Sequence, residues 1–231
     1  MHCELLLHES YAIRFNDVVR LLDFYEPGHP YRTAYAIYFC TGMRVCELDN
    51  LGRDSLVQNI LTWNLGKNQK GTRSVVLPPW LVKEIHMYIE RHPTTKKRLF
   101  PFSANSLTRK LYDIREELGG NFLLKVKCSA GSRDARYIVT LKSFRHTYQC
   151  LLYWITLQKH NSEHLAAAFV SRHMKHAGTS YVLTAKHYIS SIDYLYDDLQ
   201  AMQRMTCVGE AIKPTGQTKL QHFDSPQTPG R

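Results

Sequence analysis

Leu141–Tyr148 reads L-K-S-F-R-H-T-Y, and this stretch decides how the rest of the chain is interpreted. Lys142 and Arg145 are three residues apart in a segment whose apolar residues recur at helical spacing, so one face of a predicted helix carries both cations. About 100 residues earlier, Thr41–Leu48 reads T-G-M-R-V-C-E-L. Arg44 follows a Thr-Gly break there, between two predicted helical segments. Separated arginines of this kind suit the binding of a phosphate group, because each guanidinium can make paired hydrogen bonds to its oxygens.

The bulk composition is compatible with one sizeable domain that binds a polyanion. The chain has 231 residues, 44% of them hydrophobic, which is enough for a packed core. Thirty Lys and Arg against 20 Asp and Glu give a net charge of +10, which favours nucleic acid as a partner. No apolar run approaches the roughly 20 residues of a membrane span, and the N-terminus lacks a basic, signal-like segment. We therefore expect an intracellular protein with no membrane partner.

The cysteines and histidines do not indicate a metal site. The six cysteines form no C-x-x-C pair, so reduced, buried thiols are expected. His173 and His176 form an H-x-x-H pattern, but no cysteine pair or acidic helix motif completes a ligand set. We expect no metal and no cofactor.

Hydrophobic periodicity predicts a mainly α-helical fold with a small β-sheet. Helices are predicted for residues 16–25, 31–40, 44–51, 79–92, 141–157 and 163–170, with further helical turns over 180–200. Another begins with Ser103 or Asn105 as its cap and ends before Gly119. Residues 56–65 and 74–77 are predicted to form a hairpin around a polar turn at 66–71, and 123–127 and 136–140 two short strands. The domain spans residues 1–206, followed by a flexible tail at 207–231.

The two arginine motifs resemble those of one enzyme family. T-G-M-R-V-C-E-L is similar to the T-G-x-R-x-x-E-L box of tyrosine recombinases and integrases, and L-K-S-F-R-H-T-Y resembles their H-x-L-R-H-T-F box. Lys142 stands where most members have histidine, a K-x-x-R variant similar to that of archaeal-virus integrases of the fusellovirus type. The resemblance covers about Asn16 to Tyr196. It implies the tyrosine-recombinase (DNA breaking-rejoining enzyme) catalytic-domain fold.

The resemblance also implies roles for the cationic residues. Arg44 and Arg145 would hold the non-bridging oxygens of a DNA phosphate, and Lys142 would add electrostatic support. Lys70 in the hairpin turn would protonate the departing 5′ oxygen, with Lys67 as the alternative. From the residues alone, Arg44 has a competing interpretation as a surface ion pair with an acidic neighbour, Glu47 or Asp49. Within the motif, Glu47 is interpreted as a group that orients Arg44.

A third motif and a tyrosine would complete the site. Ser171–His176 reads S-R-H-M-K-H and resembles the family's L-G-H box, with His176 as the matching histidine and His173 as its rival. Lys175 replaces the usual glycine. The predicted nucleophile is Tyr188, because T-A-K-H-Y resembles the family's T-x-x-x-Y context. The other candidates are Tyr181, which is second, Tyr194 and Tyr196.

The implied activity is site-specific DNA recombination or integration through a 3′-phosphotyrosyl intermediate, without metal or ATP. The implied partner is double-stranded DNA, on which a homotetramer assembles. The replacement of glycine by Lys175 and the separation of 12 positions from His176 to Tyr188 depart from the family pattern. Two alternatives therefore stay open: a catalytically inactive DNA-binding protein of the same fold, and a DNA-relaxing enzyme similar to type IB topoisomerases.

Overall fold

The computed structural model describes residues 12–66, 71–94, 96–127, 135–174, 191–192 and 194–206. The α-helices whose bounds are described are α1 (Phe15–Asp23), α2 (Pro30–Thr41), α3 (Pro79–Arg91), α4 (Ala104–Asp113), α5 (Arg115–Leu118), α6 (Leu141–His160), α7 (Glu163–His173) and α8 (Leu199–Thr206). The strands are β1 (Leu56–Val57), β2 (Ile60–Asn64), β3 (Thr72–Val76), β4 (Lys125–Lys127) and β5 (Ala135–Tyr137). Short 3-10 helices span Val45–Asn50 and Gly120–Leu123. The prediction of a mainly helical fold with little sheet is confirmed.

The strands form two small antiparallel sheets. The first has the order β1-β2-β3, and its β2–β3 register pairs Ile60 with Val76 and Asn64 with Thr72. The predicted hairpin is therefore present, but residues 56–65 are not one strand. Gln58 has a positive φ of 55°, which interrupts the extended backbone and separates β1 from β2. β4 and β5 pair as the second sheet, as the sequence predicted.

Helix α2 is the centre of the hydrophobic core. Every residue from 33 to 41 is buried, because the helix is almost wholly apolar and packs against α1, α3 and α6. Pro30 occupies its first turn, and the Nδ1 atom of His29 accepts a hydrogen bond from the Tyr31 N–H at 3.2 Å. This burial fixes the end of α2, where the first arginine motif begins.

Two predicted helices differ in detail. The helix expected up to Leu118 has Ser103 as its cap, but it is divided into α4 and α5 at Ile114. Directly after the division, the buried guanidinium of Arg115 donates to the carbonyls of Phe122 and Val139. The segment expected to be helical over 44–51 is a 3-10 helix.

The C-terminal part extends further than the periodicity indicated. α6 continues to His160 and ends where Asn161 adopts the left-handed conformation, and α7 continues to His173. α8 packs against α1, α2 and α6. The predicted tail at 207–231 and most of the predicted turns over 180–200 lie outside the described residues. Among the helices that are described, none combines the length and apolarity that crossing a membrane requires.

Candidate active site

The first arginine motif forms the turn that ends α2. Gly42 caps the helix in the left-handed conformation, with φ 59° and ψ 29°, and its N–H donates to the Tyr38 carbonyl at 2.9 Å. A Cβ atom on Gly42 would lie 2.5 Å from the ring of Tyr148 on α6. Only glycine therefore fits here without a shift. Arg44 follows with an extended backbone and begins the 3-10 helix, with 30% of its side chain exposed.

Replacing Gly42 with alanine should lower the free energy of unfolding by roughly 2–4 kcal/mol, since a backbone penalty adds to a steric clash. Urea denaturation measures this. The matched control is Asn161→Ala, which places alanine in the same backbone region at the end of α6 (φ 48°). In this control the free energy of unfolding should fall by only about 1 kcal/mol. Equal losses in the two variants would show that the Tyr148 contact is unimportant.

Glu47 is the buried group that orients Arg44. Its side chain is fully enclosed, at 0% exposure. One carboxylate oxygen, Oε2, accepts the backbone N–H of Arg44 at 2.8 Å and the indole N–H of Trp63 at 3.1 Å, while Oε1 lies 3.0 Å from Nη1 of Arg44. Arg44 does pair with Glu47, but the pair is not a surface one. Asp49 pairs instead with Arg98.

Arg145 joins the two arginine motifs and the third one. Nη1 of Arg145 donates to the Gly42 carbonyl at 2.8 Å, and Nη2 donates to the Met174 carbonyl at 3.1 Å. The first carbonyl lies two residues before Arg44, and the second follows directly after α7. The carbonyl end of a helix such as α2 favours a nearby cation. Three segments that are distant in the sequence therefore meet at one guanidinium.

Lys142 lies one helical turn before Arg145 on α6. Its side chain is exposed, whereas Arg145 is partly buried. Because residues three apart share a helix face, both cations are on the same side of α6. The arrangement is suited to holding an anion between the exposed lysine and the anchored arginine.

Arg73 is a cation of this site that the sequence interpretation missed. It is 4% exposed, and its Nη2 donates to the Thr41 carbonyl at 2.7 Å. Nη1 lies 3.4 Å from the Gly42 carbonyl that Arg145 also binds. The signal was present in the alternation of β3, since Arg73 lies on the same strand face as the buried Val75.

The third motif is described only in part. His173 ends α7, and its Nε2 atom is hydrogen-bonded to the hydroxyl of Tyr148 at 3.3 Å. Burial raises the pKa of Tyr148, although the neighbouring Arg73 lowers it in part, so this buried phenol stays protonated. His173, the rival of His176, therefore contacts the buried tyrosine that ends the second arginine motif.

Several predicted site residues lie outside the described residues: Lys70 with its alternative Lys67, His176, Tyr188 and Tyr181. The other two candidate tyrosines are described. Tyr194 has its ring centroid 5.1 Å from the guanidinium carbon of Arg14, and burial raises the pKa of its hydroxyl. Tyr196 is 65% exposed and lines a groove beside Trp154.

The chain beyond the predicted tyrosine is attached to α6 next to Arg145. Nε2 of His146 and the hydroxyl of Ser191 are 2.8 Å apart in a hydrogen bond.

His146 should make stability depend on pH. Burial lowers its pKa to about 4, below the value of about 6.5 expected in the unfolded chain. The unfolded state therefore binds more protons between these values, and stability should fall by up to about 3 kcal/mol as the pH drops from 6.5 to 4. Urea denaturation at several pH values tests this. His146→Gln should show a smaller loss over that range, and an unchanged pH dependence would contradict the assignment.

A metal site is not evident in the part of the chain that the structure describes. No group of three or more His, Cys, Asp and Glu side chains is placed there to hold an ion.

Comparison with known proteins identifies the fold. No protein-family profile matches the sequence, and no curated protein matches it. Among solved structures, XerA recombinase has a TM-score of 0.56 and 19% identity, over 82% of this chain and 65% of that protein. XerH site-specific recombinase, in a post-cleavage complex with its palindromic difH substrate, has a TM-score of 0.50 and 20% identity, over 87% of this chain and 54% of that protein. The chain thus spans less than two thirds of either protein, and it has the fold of the tyrosine recombinases.

Proposed function

We propose that this chain breaks and rejoins DNA strands as the catalytic domain of a site-specific recombinase or integrase. The observation that supports this best is the double contact of Arg145 with the carbonyls of Gly42 and Met174, at 2.8 and 3.1 Å. These contacts bring the segments of all three motifs to one point. The net charge of +10 suits a DNA partner, whose binding is salt-dependent.

In the proposed reaction, Arg44 and Arg145 bind the non-bridging oxygens of one phosphate. The carbonyl contacts fix the guanidinium plane of Arg145, and the phosphate binds at its partly exposed edge. Lys142 adds positive charge from the same side of α6. We assign Lys142 electrostatic support rather than proton removal, because an ammonium group has three hydrogen-bond donors and no acceptor.

Tyr188 is the proposed nucleophile. Its hydroxyl oxygen attacks phosphorus and gives its proton to a solvent water molecule, and the bond from phosphorus to the 5′ oxygen breaks. Lys70 gives a proton to that oxygen, which leaves as a 5′-hydroxyl, while His176 supports the phosphate. A 5′-hydroxyl of a second duplex then attacks the phosphotyrosyl bond and reverses the step. Exchange between two sites would use four copies of the chain, acting on DNA inside the cell.

Trapping of the covalent intermediate tests this proposal. A pool of nicked duplexes with a randomised central region serves as substrate, because the nick lets the cleaved fragment leave and prevents rejoining. The wild-type chain should become covalently linked to DNA, and Tyr188→Phe should not. Tyr181→Phe and the exposed Tyr196→Phe should form the adduct normally.

The outcomes separate the candidate functions. Salt-dependent DNA binding without any adduct would overturn the proposal and favour an inactive DNA-binding protein. An adduct that is undiminished in Tyr188→Phe and lost in Tyr181→Phe would move the nucleophile to Tyr181. Relaxation of supercoiled DNA without exchange between sites would indicate a topoisomerase-like enzyme.

A further inference from the structure

Arg73 is a buried cation to which the proposed reaction assigns no role. Its side chain lies in β3 and is only 4% exposed, although arginine is rarely buried unless it is paired. No carboxylate of the described residues forms an ion pair with it. Burial lowers its pKa, and the nearby Tyr148 and Glu47 oppose that shift. Such a charge needs an explanation, because hydrophobic residues of similar volume commonly serve a core as well.

The backbone partners of Arg73 are the carbonyls at the end of α2. Nη2 donates to Thr41 at 2.7 Å, and Nη1 lies 3.4 Å from the Gly42 oxygen. Arg145 donates to that same Gly42 oxygen at 2.8 Å. Two guanidinium groups are therefore held on one peptide unit at the negative end of α2. A shift of Arg73 would move the carbonyl against which Arg145 is positioned.

The ring partners of Arg73 lead to Arg44. Its guanidinium carbon lies 5.3 Å from the centroid of Trp63 and 5.7 Å from that of Tyr148, distances at which a cation is attracted to an aromatic face. The indole N–H of Trp63 donates to Oε2 of Glu47, the oxygen that also accepts the backbone N–H of Arg44. Two residues, Trp63 and Glu47, thus connect Arg73 to Arg44, the other predicted phosphate ligand.

We propose that Arg73 is a positioning residue. It fixes the position of Arg44 relative to Arg145, so that both side chains reach the same DNA phosphate. It acts through the Gly42 carbonyl on one side and through Trp63 and Glu47 on the other. Being buried, it does not touch the DNA. This inference rests on the proposed function for its catalytic consequence, while its effect on DNA binding does not depend on cleavage.

Arg115 provides a matched control for the competing explanation that Arg73 only stabilises the fold. It is 1% exposed, donates to two carbonyls, and lies 4.6 and 4.1 Å from the ring centroids of Tyr112 and Tyr137. The Nε atom of each arginine lacks a hydrogen-bond partner among the residues that the structure describes. The two arginines therefore have the same kind of surroundings, but the partners of Arg115 lie outside both arginine motifs.

The first test compares Arg73→Lys with Arg115→Lys, which leave the net charge unchanged. Lysine has a single nitrogen and cannot hold two carbonyls in the geometry of a guanidinium. Arg73→Lys should lower the rate of adduct formation by about 10- to 100-fold, since displacement of catalytic groups by about 1 Å is this costly. Arg115→Lys, assayed while still folded, should react at nearly the wild-type rate. Trp63→Phe keeps a ring against Arg73 but removes the bond to Glu47, and should cause a smaller loss of the same kind.

The second test uses a substrate whose cleaved phosphate is a methylphosphonate. Replacing one non-bridging oxygen with a methyl group removes the charge that the two arginines neutralise. If Arg73 acts through those arginines, this substrate should restore most of the activity that Arg73→Lys has lost. If Arg73 only stabilises the fold, the loss should be equal on both substrates.

The third test works even if the chain does not cut DNA. The logarithm of the DNA-binding constant falls linearly as the logarithm of the salt concentration rises. The slope of this line is proportional to the number of phosphate contacts. Arg73→Lys should reduce this slope by about 1, although Arg73 is buried, because a displaced Arg44 or Arg145 loses its contact. Arg115→Lys should leave the slope unchanged. Fluorescence anisotropy with a labelled duplex measures both.

These outcomes decide the inference separately from the proposed function. Failure of the wild-type chain to form an adduct overturns the proposed function, and the salt dependence alone then decides the role of Arg73. If the wild type forms no adduct and folded Arg73→Lys shows the same salt dependence of DNA binding as the wild type, the positioning role is overturned. Where the wild type does form the adduct, equal losses on the two substrates, or no loss on either, overturn it.

Discussion

Replacing Arg145 with lysine should lower the rate of adduct formation by about 100- to 1000-fold, the usual effect of losing one pre-aimed donor from a charged transition state. The charge is retained, but the guanidinium fork is lost. The guanidinium of Arg145 can bind the Gly42 carbonyl, the Met174 carbonyl and a phosphate oxygen in one plane. The single nitrogen of a lysine side chain cannot. The rate is measured in a single turnover at saturating DNA, so that weaker binding does not enter the comparison.

Arg98→Lys is the control for this prediction. Arg98 is about half exposed and pairs with Asp49 at the surface, so its replacement should change the rate by less than about threefold. A rate for Arg145→Lys within about tenfold of the wild type would show that the contacts of this guanidinium do not determine the reaction.

Replacing Glu47 with alanine should lower the free energy of unfolding by about 3–5 kcal/mol, as expected when one partner of a buried, hydrogen-bonded charge pair is removed. The carboxylate accepts hydrogen bonds from the backbone and side chain of Arg44 and from the indole of Trp63. These donors would be left without their acceptor. Glu47→Gln keeps the size of the side chain, so its free energy of unfolding should fall by less. Urea denaturation measures both variants.

A carboxylate in an exposed ion pair provides the comparison. Glu26 is 74% exposed and lies 3.9 Å from Arg91, so Glu26→Ala should cost less than about 1 kcal/mol. A loss for Glu47→Ala as small as that for Glu26→Ala would mean that Glu47 does not hold Arg44 in place.

Much of the fold could be predicted from local patterns. The apolar run of α2 and its glycine stop determine a buried helix, and proline at the start of α3 marks a helix boundary. The polar turn between two strand-like segments indicated the hairpin. The two arginine motifs were recognisable because residue type and spacing identify each of them locally. Their meeting at Arg145 is a tertiary contact that neither motif contains by itself.

The surroundings of the motifs could not be predicted in the same way. The alternation of β3 points Arg73 inward, but only the packing of the hairpin on the end of α2 provides the carbonyls that make a buried arginine tolerable. Without the motif, Glu47 could be interpreted as one member of a surface pair, because its burial depends on Trp63, which is 16 residues away. The break at Ile114 likewise depends on long-range partners of Arg115.

The proposed reaction requires Arg44 and Arg145 to hold one and the same DNA phosphate. A series of duplexes with a single methylphosphonate, moved along the sequence that the trapped adduct identifies, can show whether they do. Arg44→Ala and Arg145→Ala should both be inactive on ordinary DNA, and both should regain adduct formation when the modification is at the cleaved phosphate. Recovery of the two variants at different positions, or at none, would show that the two arginines do not share a phosphate.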